Sequence, residues 1–176
     1  MKWTVIFLLV LMATAVQAKE QEYNLAYPVT LSAELVVHCK VPGKVLMVSL
    51  TLTNVSHIAY ESQPQLITSF ELPLEQFGGD GRYIANQFLV QNSDDSLAMF
   101  QGEALVFDLN KDGLETIGLA PGQSVTNRFN LYDFFDIRPE QLKRIKFDMF
   151  DAMIPSNRGV RAIDIQSNWA YVEPGC

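Results

Sequence analysis

The sequence has 176 residues, with 20 acidic and 13 basic side chains, two histidines and two cysteines. This length suits one globular domain with a sizeable core, and an apolar fraction of 48% is too high for a disordered chain. The formal charge of -7 argues against the basic patch that nucleic-acid binding requires, so we expect no nucleic-acid partner.

The first 18 residues have the features of a secretory signal peptide. Lys2 supplies the positive charge, residues 5–12 form a short apolar run, and residues 16–18 offer a cleavage site. The run is shorter than the roughly 20 apolar residues of a membrane-spanning helix. We therefore expect a periplasmic or secreted protein with no membrane insertion after cleavage. Residues 19–28 are expected to be an N-terminal lead-in, and residues 29–176 a single domain.

Export also affects how the two cysteines are interpreted. In an oxidising compartment, an even pair is most simply one disulfide, Cys39–Cys176. Such a bond would tie the last residue of the sequence to the body of the domain. Two free or intermolecular thiols are the alternative, and no CxxC or CxxH spacing indicates a metal site.

Alternation of apolar and polar residues with a period of two runs along most of the chain and predicts antiparallel strands. The clearest runs are residues 29–37, 46–53, 125–131, 145–149 and 163–171, and shorter candidates are residues 66–72, 83–90 and 104–108. We expect an all-β fold, an antiparallel sandwich of about eight strands, with a small barrel as the alternative. At most one or two short helical turns are expected, within residues 131–137 and 139–144.

One local motif matches part of a calcium-binding loop. Asp108, Asn110, Asp112 and Gly113 occupy its positions 1, 3, 5 and 6. The twelfth position, where a bidentate glutamate is expected, is Leu119. The same residue types are typical of a hairpin turn, which is what we expect here. Calcium binding through Asp108, Asn110 and Asp112 is the alternative, and no other cofactor is expected.

The sequence contains no motif of a known catalytic site. GxSxG, SxxK and HExxH patterns are all missing. Asp133 with Asp136, and Asp148 with Asp151, could in principle serve a carboxylate-based hydrolase. A chain with 20 acidic residues supplies such pairs by composition alone. We therefore predict no catalytic residues and a non-enzymatic protein.

A stretch rich in aromatic and acidic residues is the candidate for binding a partner. Tyr132, Phe134 and Phe135 would be natural anchors for another protein if they are exposed, with Asp133 and Asp136 beside them. Packing of these rings in the core is the more common fate of such side chains.

Two short motifs resemble those of a known group of domains. The first is LTLTNVS at residues 50–56; the second is LAPGQS at residues 119–124, followed by FNLYD at residues 129–133. Together they resemble small exported immunoglobulin-like domains of the bacterial proteinase-inhibitor-like kind. They are also similar to the immunoglobulin-like segment before the catalytic unit of some aspzincin peptidases. The resemblance implies an immunoglobulin-like sandwich, and it carries over no catalytic or inhibitory residue.

Export, acidity and the missing catalytic motifs together predict an exported module that binds another protein. The most concrete form is an inhibitor or immunity-type protein of the bacterial cell envelope. An acidic surface would suit a basic toxin or hydrolase as the partner. One alternative is an accessory or structural subunit of an envelope assembly, which would show an exposed sheet edge. The other is a carboxylate-based hydrolase.

Overall fold

The computed structural model describes residues 29–77, 84–102 and 115–176. Within these ranges the regular structure is dominated by eleven strands, eight of them with four or more residues. The strands are β1 Leu31–Val41, β2 Val45–Asn54, β3 Phe70–Pro73, β4 Phe88–Asn92, β5 Met99–Phe100, β6 Thr116–Leu119, β7 Ser124–Asn130, β8 Phe135–Asp136, β9 Leu142–Ile154, β10 Arg161–Gln166 and β11 Ala170–Tyr171. All these strands pair antiparallel, so the predicted all-β class is confirmed.

The strands form two larger sheets and two small ribbons. The first sheet has the order β1-β2-β7, and the ribbons are β3–β6 and β5–β8. The second sheet is built around β9, which pairs with β4, β10 and β11. Because β4 and β11 both pair with Ile145, they lie along opposite edges of β9.

Alternation decides which side of each strand enters the core. In β2 every second residue is buried: Leu46, Val48, Leu50, Leu52 and Asn54. The long strand β9 departs from this period at two bulges. Each bulge places one extra residue in β9, so that Leu142 and Ile145, and again Met149 and Ala152, are buried three positions apart.

Aromatic rings join the two larger sheets. The Phe88 ring of β4 lies 5.2 Å from the ring of Phe129 in β7 and 5.2 Å from that of Phe147 in β9. Since β7 belongs to the first sheet and β4 and β9 to the second, the two sheets share one core. The immunoglobulin-like form of this arrangement stays a prediction.

Helical turns are more numerous than the sequence pattern indicated. The described residues hold five: α1 Ser56–Ala59, α2 Leu74–Phe77, and 3-10 turns at Pro64–Leu66, Ala85–Gln87 and Leu131–Asp133. The last lies within the predicted residues 131–137, whereas residues 139–141 form a plain turn that leads into β9. Segments of three or four residues are too short for a helical period to show in a sequence.

The predicted disulfide Cys39–Cys176 is present, and it joins residues 137 positions apart. The backbone oxygen of Cys176 accepts hydrogen bonds from the backbone N–H of Gly43 at 3.2 Å and from Tyr132 Oη at 3.0 Å. The end of the described chain is therefore fastened to the turn between β1 and β2. The predicted signal peptide, the lead-in and the candidate strand at residues 104–108 lie outside the described residues.

Candidate functional site

The aromatic residues predicted to contact a partner are mostly buried. Phe134 is 9% exposed and Phe135 is 5% exposed. The Phe134 ring packs 6.0 Å from that of Phe129, and the Phe135 ring 5.3 Å from that of Phe100. The prediction of surface contacts is therefore wrong for Phe134 and Phe135, because both rings fill the core.

Tyr132 is half-buried and has a structural partner. Its hydroxyl donates the hydrogen bond to Cys176 described above. Burial, and then the negative charge of Glu140, raise the pKa of the Tyr132 phenol above its ordinary value. The group therefore stays protonated and remains a donor at neutral pH. Tyr132 fastens the last residue of the chain rather than standing free as an anchor.

The predicted acidic residues, in contrast, are exposed and lie beside a ribbon with an apolar outer face. Asp136 of β8 pairs with Met99 of β5, whose side chain is 72% exposed. Leu97, two residues earlier, is 57% exposed, while Ala98 and Phe100 pack against the core. Because alternate residues of an extended chain point to opposite faces, Leu97 and Met99 share the outer face.

We call this surface the acidic ribbon and define it by Leu97, Met99 and Asp136; Asp133 lies in the turn that leads into it. Asp133 belongs to the 3-10 turn before β8, where its Oδ1 accepts a hydrogen bond from Asn130 Nδ2 at 3.1 Å. Neither Asp133 nor Asp136 forms a salt bridge within the described part of the chain. Both carboxylates are therefore available to a basic partner.

A tight turn positions the apolar half of the acidic ribbon. Asp94 Oδ1 accepts hydrogen bonds from Ser96 Oγ at 2.6 Å and from the Ser96 backbone N–H at 3.0 Å. These bonds lower the pKa of the Asp94 carboxyl, so it is ionised and bonded at neutral pH. Asp95 Oδ1 forms a salt bridge with Lys143 Nζ of β9 at 3.0 Å. The turn is thus tied to the second sheet directly before Leu97.

Only part of the acidic ribbon was predicted from the sequence. Asp133 and Asp136 were predicted, but Leu97 and Met99 were missed. Residues 97–100 read Leu-Ala-Met-Phe, a run without polar contrast, so its pattern does not tell which side chains are exposed.

The other candidate residues do not assemble a second site among the described residues. Asp108, Asn110 and Asp112 lie outside those residues, so calcium binding stays a prediction. Within residues 29–77, 84–102 and 115–176, no three metal-ligating side chains lie together. Asp148 Oδ2 forms a salt bridge with Lys146 Nζ at 3.2 Å on β9, which gives this carboxylate a structural role.

The two motifs that resemble proteinase-inhibitor-like domains, at residues 50–56 and 119–124, contact each other in the structure. Asn54 Nδ2 donates hydrogen bonds to the backbone oxygens of Leu119 and Thr68, both at 2.8 Å. The backbone N–H of Gly122 donates to the backbone oxygen of Asn54 at 2.8 Å. This contact joins the end of β2 to the β3–β6 ribbon and to the turn before β7. It is a structural junction between these elements.

No protein-family model matches the chain, and no curated protein matches it with significant similarity. The resemblance to proteinase-inhibitor-like domains therefore stays a prediction. In the part of the chain that the structure describes, no helix has the length and apolar character needed to cross a membrane.

Proposed function

We propose that the protein is an exported, non-enzymatic module that binds another protein. The observation that carries the proposal is the acidic ribbon, where Met99 is 72% exposed and is paired with the exposed Asp136. An apolar anchor with charged residues at its rim is the usual anatomy of a protein interface. The apolar part supplies binding energy when it is desolvated, and the charges speed encounter and select the partner.

The most concrete form of this function is an inhibitor or immunity-type protein of the bacterial cell envelope. The chain has a net charge of -7, and Asp136 is paired with Met99, whose side chain is exposed. A toxin or hydrolase with a basic active-site cleft would complement this surface. The Cys39–Cys176 disulfide supports an oxidising compartment such as the periplasm.

A second candidate function is an accessory or structural subunit of an envelope assembly. It is favoured by β1, which has a sheet partner along only one of its edges within the described residues. A carboxylate-based hydrolase is the remaining alternative; of its candidate residues, Asp148 is held in a salt bridge with Lys146, whereas Asp133 and Asp136 form none within the described residues.

The test is capture of a partner from an envelope extract of the source organism, followed by binding measurements on variants. We expect a basic partner at one-to-one stoichiometry. Met99→Ser removes the apolar anchor and should weaken binding about 10-fold or more, as at an interface hot spot. Met153→Ser is the matched control, because Met153 is 50% exposed but lies on β9. It should leave the affinity unchanged.

Asp136→Asn tests the electrostatic part of the same surface. Removal of this charge should lower the association rate and reduce its dependence on salt, with a smaller effect on dissociation. The proposal fails if no stoichiometric partner is captured while the purified protein turns over a substrate. It also fails if Met99→Ser and Met153→Ser bind the captured partner equally well.

A further inference from the structure

The second sheet has an outer face that is turned away from the core. On β9 the side chains of Ile145, Phe147 and Met149 are buried. Because successive side chains of a strand point to opposite faces, Lys146 and Asp148 lie on the outer face. The polar side chains of this part of β9 are therefore presented on the side of the sheet that does not pack against the core.

Among the described residues, only two aromatic side chains are largely exposed, and both lie on this outer face. Tyr171 of β11 is 71% exposed, and Phe150 of β9 is 63% exposed. Their neighbours Ala170 and Met149 pack in the core, which directs the two rings outward. Tyr171 pairs with Arg144, six positions before Phe150 on β9, so the two rings lie roughly 20 Å apart along the strand.

A third ring, that of Trp169, belongs to the same face. The guanidinium carbon of Arg144 lies 4.1 Å from the centroid of the Trp169 ring. Arg144 precedes the buried Ile145, and Trp169 precedes Ala170, which packs against the core. Both side chains are therefore on the outer side of the sheet, and their stacking holds the indole ring in place.

A hydrogen-bonded group of polar side chains lies between the two exposed rings. Lys146 Nζ donates to Asp148 Oδ2 at 3.2 Å and to Gln166 Oε1 at 3.0 Å. Asp148 Oδ1 is buried and receives no hydrogen bond within the described ranges, and the side chain is only 10% exposed. A buried acceptor of this kind costs free energy until a donor reaches it.

We propose that this aromatic face binds a neutral glycan chain. The C–H groups of a sugar ring stack on the negative face of an aromatic ring, so Tyr171 and Phe150 hold sugar units at the two ends of the site. Hydroxyl groups both donate and accept hydrogen bonds, and one of them supplies the donor that Asp148 Oδ1 lacks. The face is formed by Lys146, Asp148, Phe150, Gln166, Trp169 and Tyr171.

The charges of the aromatic face favour a neutral ligand over an ionic one. Lys146 and Asp148 neutralise each other through their salt bridge, and the charge of Arg144 is stacked on Trp169. An ionic partner would have to compete with these internal contacts. Aromatic stacking and hydrogen bonds to neutral hydroxyl groups add to them, which is the recognition that an uncharged sugar chain requires.

The test is isothermal titration calorimetry of the full chain with two oligosaccharides, chitohexaose and cellohexaose. Binding of chitohexaose alone would identify N-acetylated sugar units, such as those of a peptidoglycan strand, as the ligand. Binding of both would show that the sugar ring itself is recognised. Either result supports the proposal.

Variants locate the binding on the aromatic face. Tyr171→Ala and Phe150→Ala should each weaken binding about tenfold, because each removes one stacked ring. Gln166→Ala removes one exposed hydrogen-bonding group and should weaken it about fivefold. Ile58→Ala is the control, since Ile58 is 66% exposed but lies on α1, outside this face. It should leave the affinity unchanged.

Two results would overturn the proposal. One is the lack of binding of either oligosaccharide at millimolar concentration. The other is equal binding by the Ile58→Ala, Tyr171→Ala and Phe150→Ala variants, with their unfolding midpoints retained. The outcome is separable from the proposed partner binding, because Met99 belongs to the β5–β8 ribbon and not to this sheet. Met99→Ser should therefore leave oligosaccharide binding unchanged, and failure to capture a protein partner would not affect it.

Discussion

Asn54 is a buried side-chain amide whose two N–H donors and oxygen all form hydrogen bonds. Its Nδ2 donates to two backbone oxygens at 2.8 Å, and its Oδ1 accepts from the backbone N–H of Ser56 at 3.0 Å. Asn54 has no exposed surface, so its side chain serves packing. A buried network of this kind specifies the fold, because each unpaired member would cost free energy.

We expect Asn54→Ala to lower the free energy of unfolding by about 3 kcal/mol, because it removes three buried hydrogen bonds and leaves the backbone N–H of Ser56 without its side-chain acceptor. Chemical denaturation measures this loss. Thr51→Ala is the control on the same strand as Asn54, since it removes an exposed hydrogen bond to Thr126 of β7, and it should change stability by about 0.5 kcal/mol or less. Equal losses in both variants would contradict a special role for Asn54.

Phe134 and Phe135 show why exposure was hard to predict for single residues. Neighbours on a strand point to opposite faces, which favours one exposed ring of the two. Phe134, however, directly follows the 3-10 turn at Leu131–Asp133, where the backbone changes direction, and both rings enter the core. The exposed side chain opposite Asp136 is instead Met99, from a strand far away in sequence.

At the scale of elements, Phe129 of β7 is one of the residues that join the first sheet to the second. Its ring packs edge-on against Phe88 of β4 and against Phe134. Phe129→Ala would leave a cavity between the sheets, so we expect a loss of about 3–5 kcal/mol in unfolding free energy. Denaturation in urea, with the slope compared between variants, measures this change.

Phe150→Ala is the matched control for Phe129→Ala. Phe150 lies on β9 but is 63% exposed, so the same truncation removes little buried surface. We expect its effect to stay near 0.5 kcal/mol. If the two variants lost similar stability, the ring cluster would not be the junction between the sheets.

At the scale of the whole molecule, the disulfide joins β1 to the last residue of the chain. It closes a loop with a sequence separation of 137 residues. In the chain-entropy account, closing such a loop lowers the entropy of the unfolded state and stabilises the folded state by up to about 5 kcal/mol. The backbone oxygen of Cys176 also accepts hydrogen bonds from Gly43 and Tyr132.

We expect the double variant Cys39→Ser with Cys176→Ser to unfold about 2–5 kcal/mol more easily than the oxidised protein. Denaturant unfolding with and without a thiol reductant measures the difference. Reductant should destabilise the original chain to the level of the double variant and leave that variant unchanged. A loss below about 1 kcal/mol would show that the hydrogen bonds at Cys176, and not the disulfide, hold this end of the chain.

Much of the fold was determined by the sequence alone, because its signals are local. Side chains of a strand alternate between two faces, so Leu46, Val48, Leu50 and Leu52 could be recognised as core residues without knowing their neighbours. The disulfide was predictable because only one intramolecular pairing of two cysteines exists.

The tertiary structure decided the features that depend on contacts between distant residues. The bulges of β9 arise from its pairing with β4 and β10, and the exposure of Met99 from the pairing of β5 with β8. The contact of β1 with the segment after β10 is known only from the structure, because it joins Leu35 to Asn168, 133 positions away. Register, exposure and unpaired edges are set by which strands meet, and a local pattern of residues contains no information on that choice.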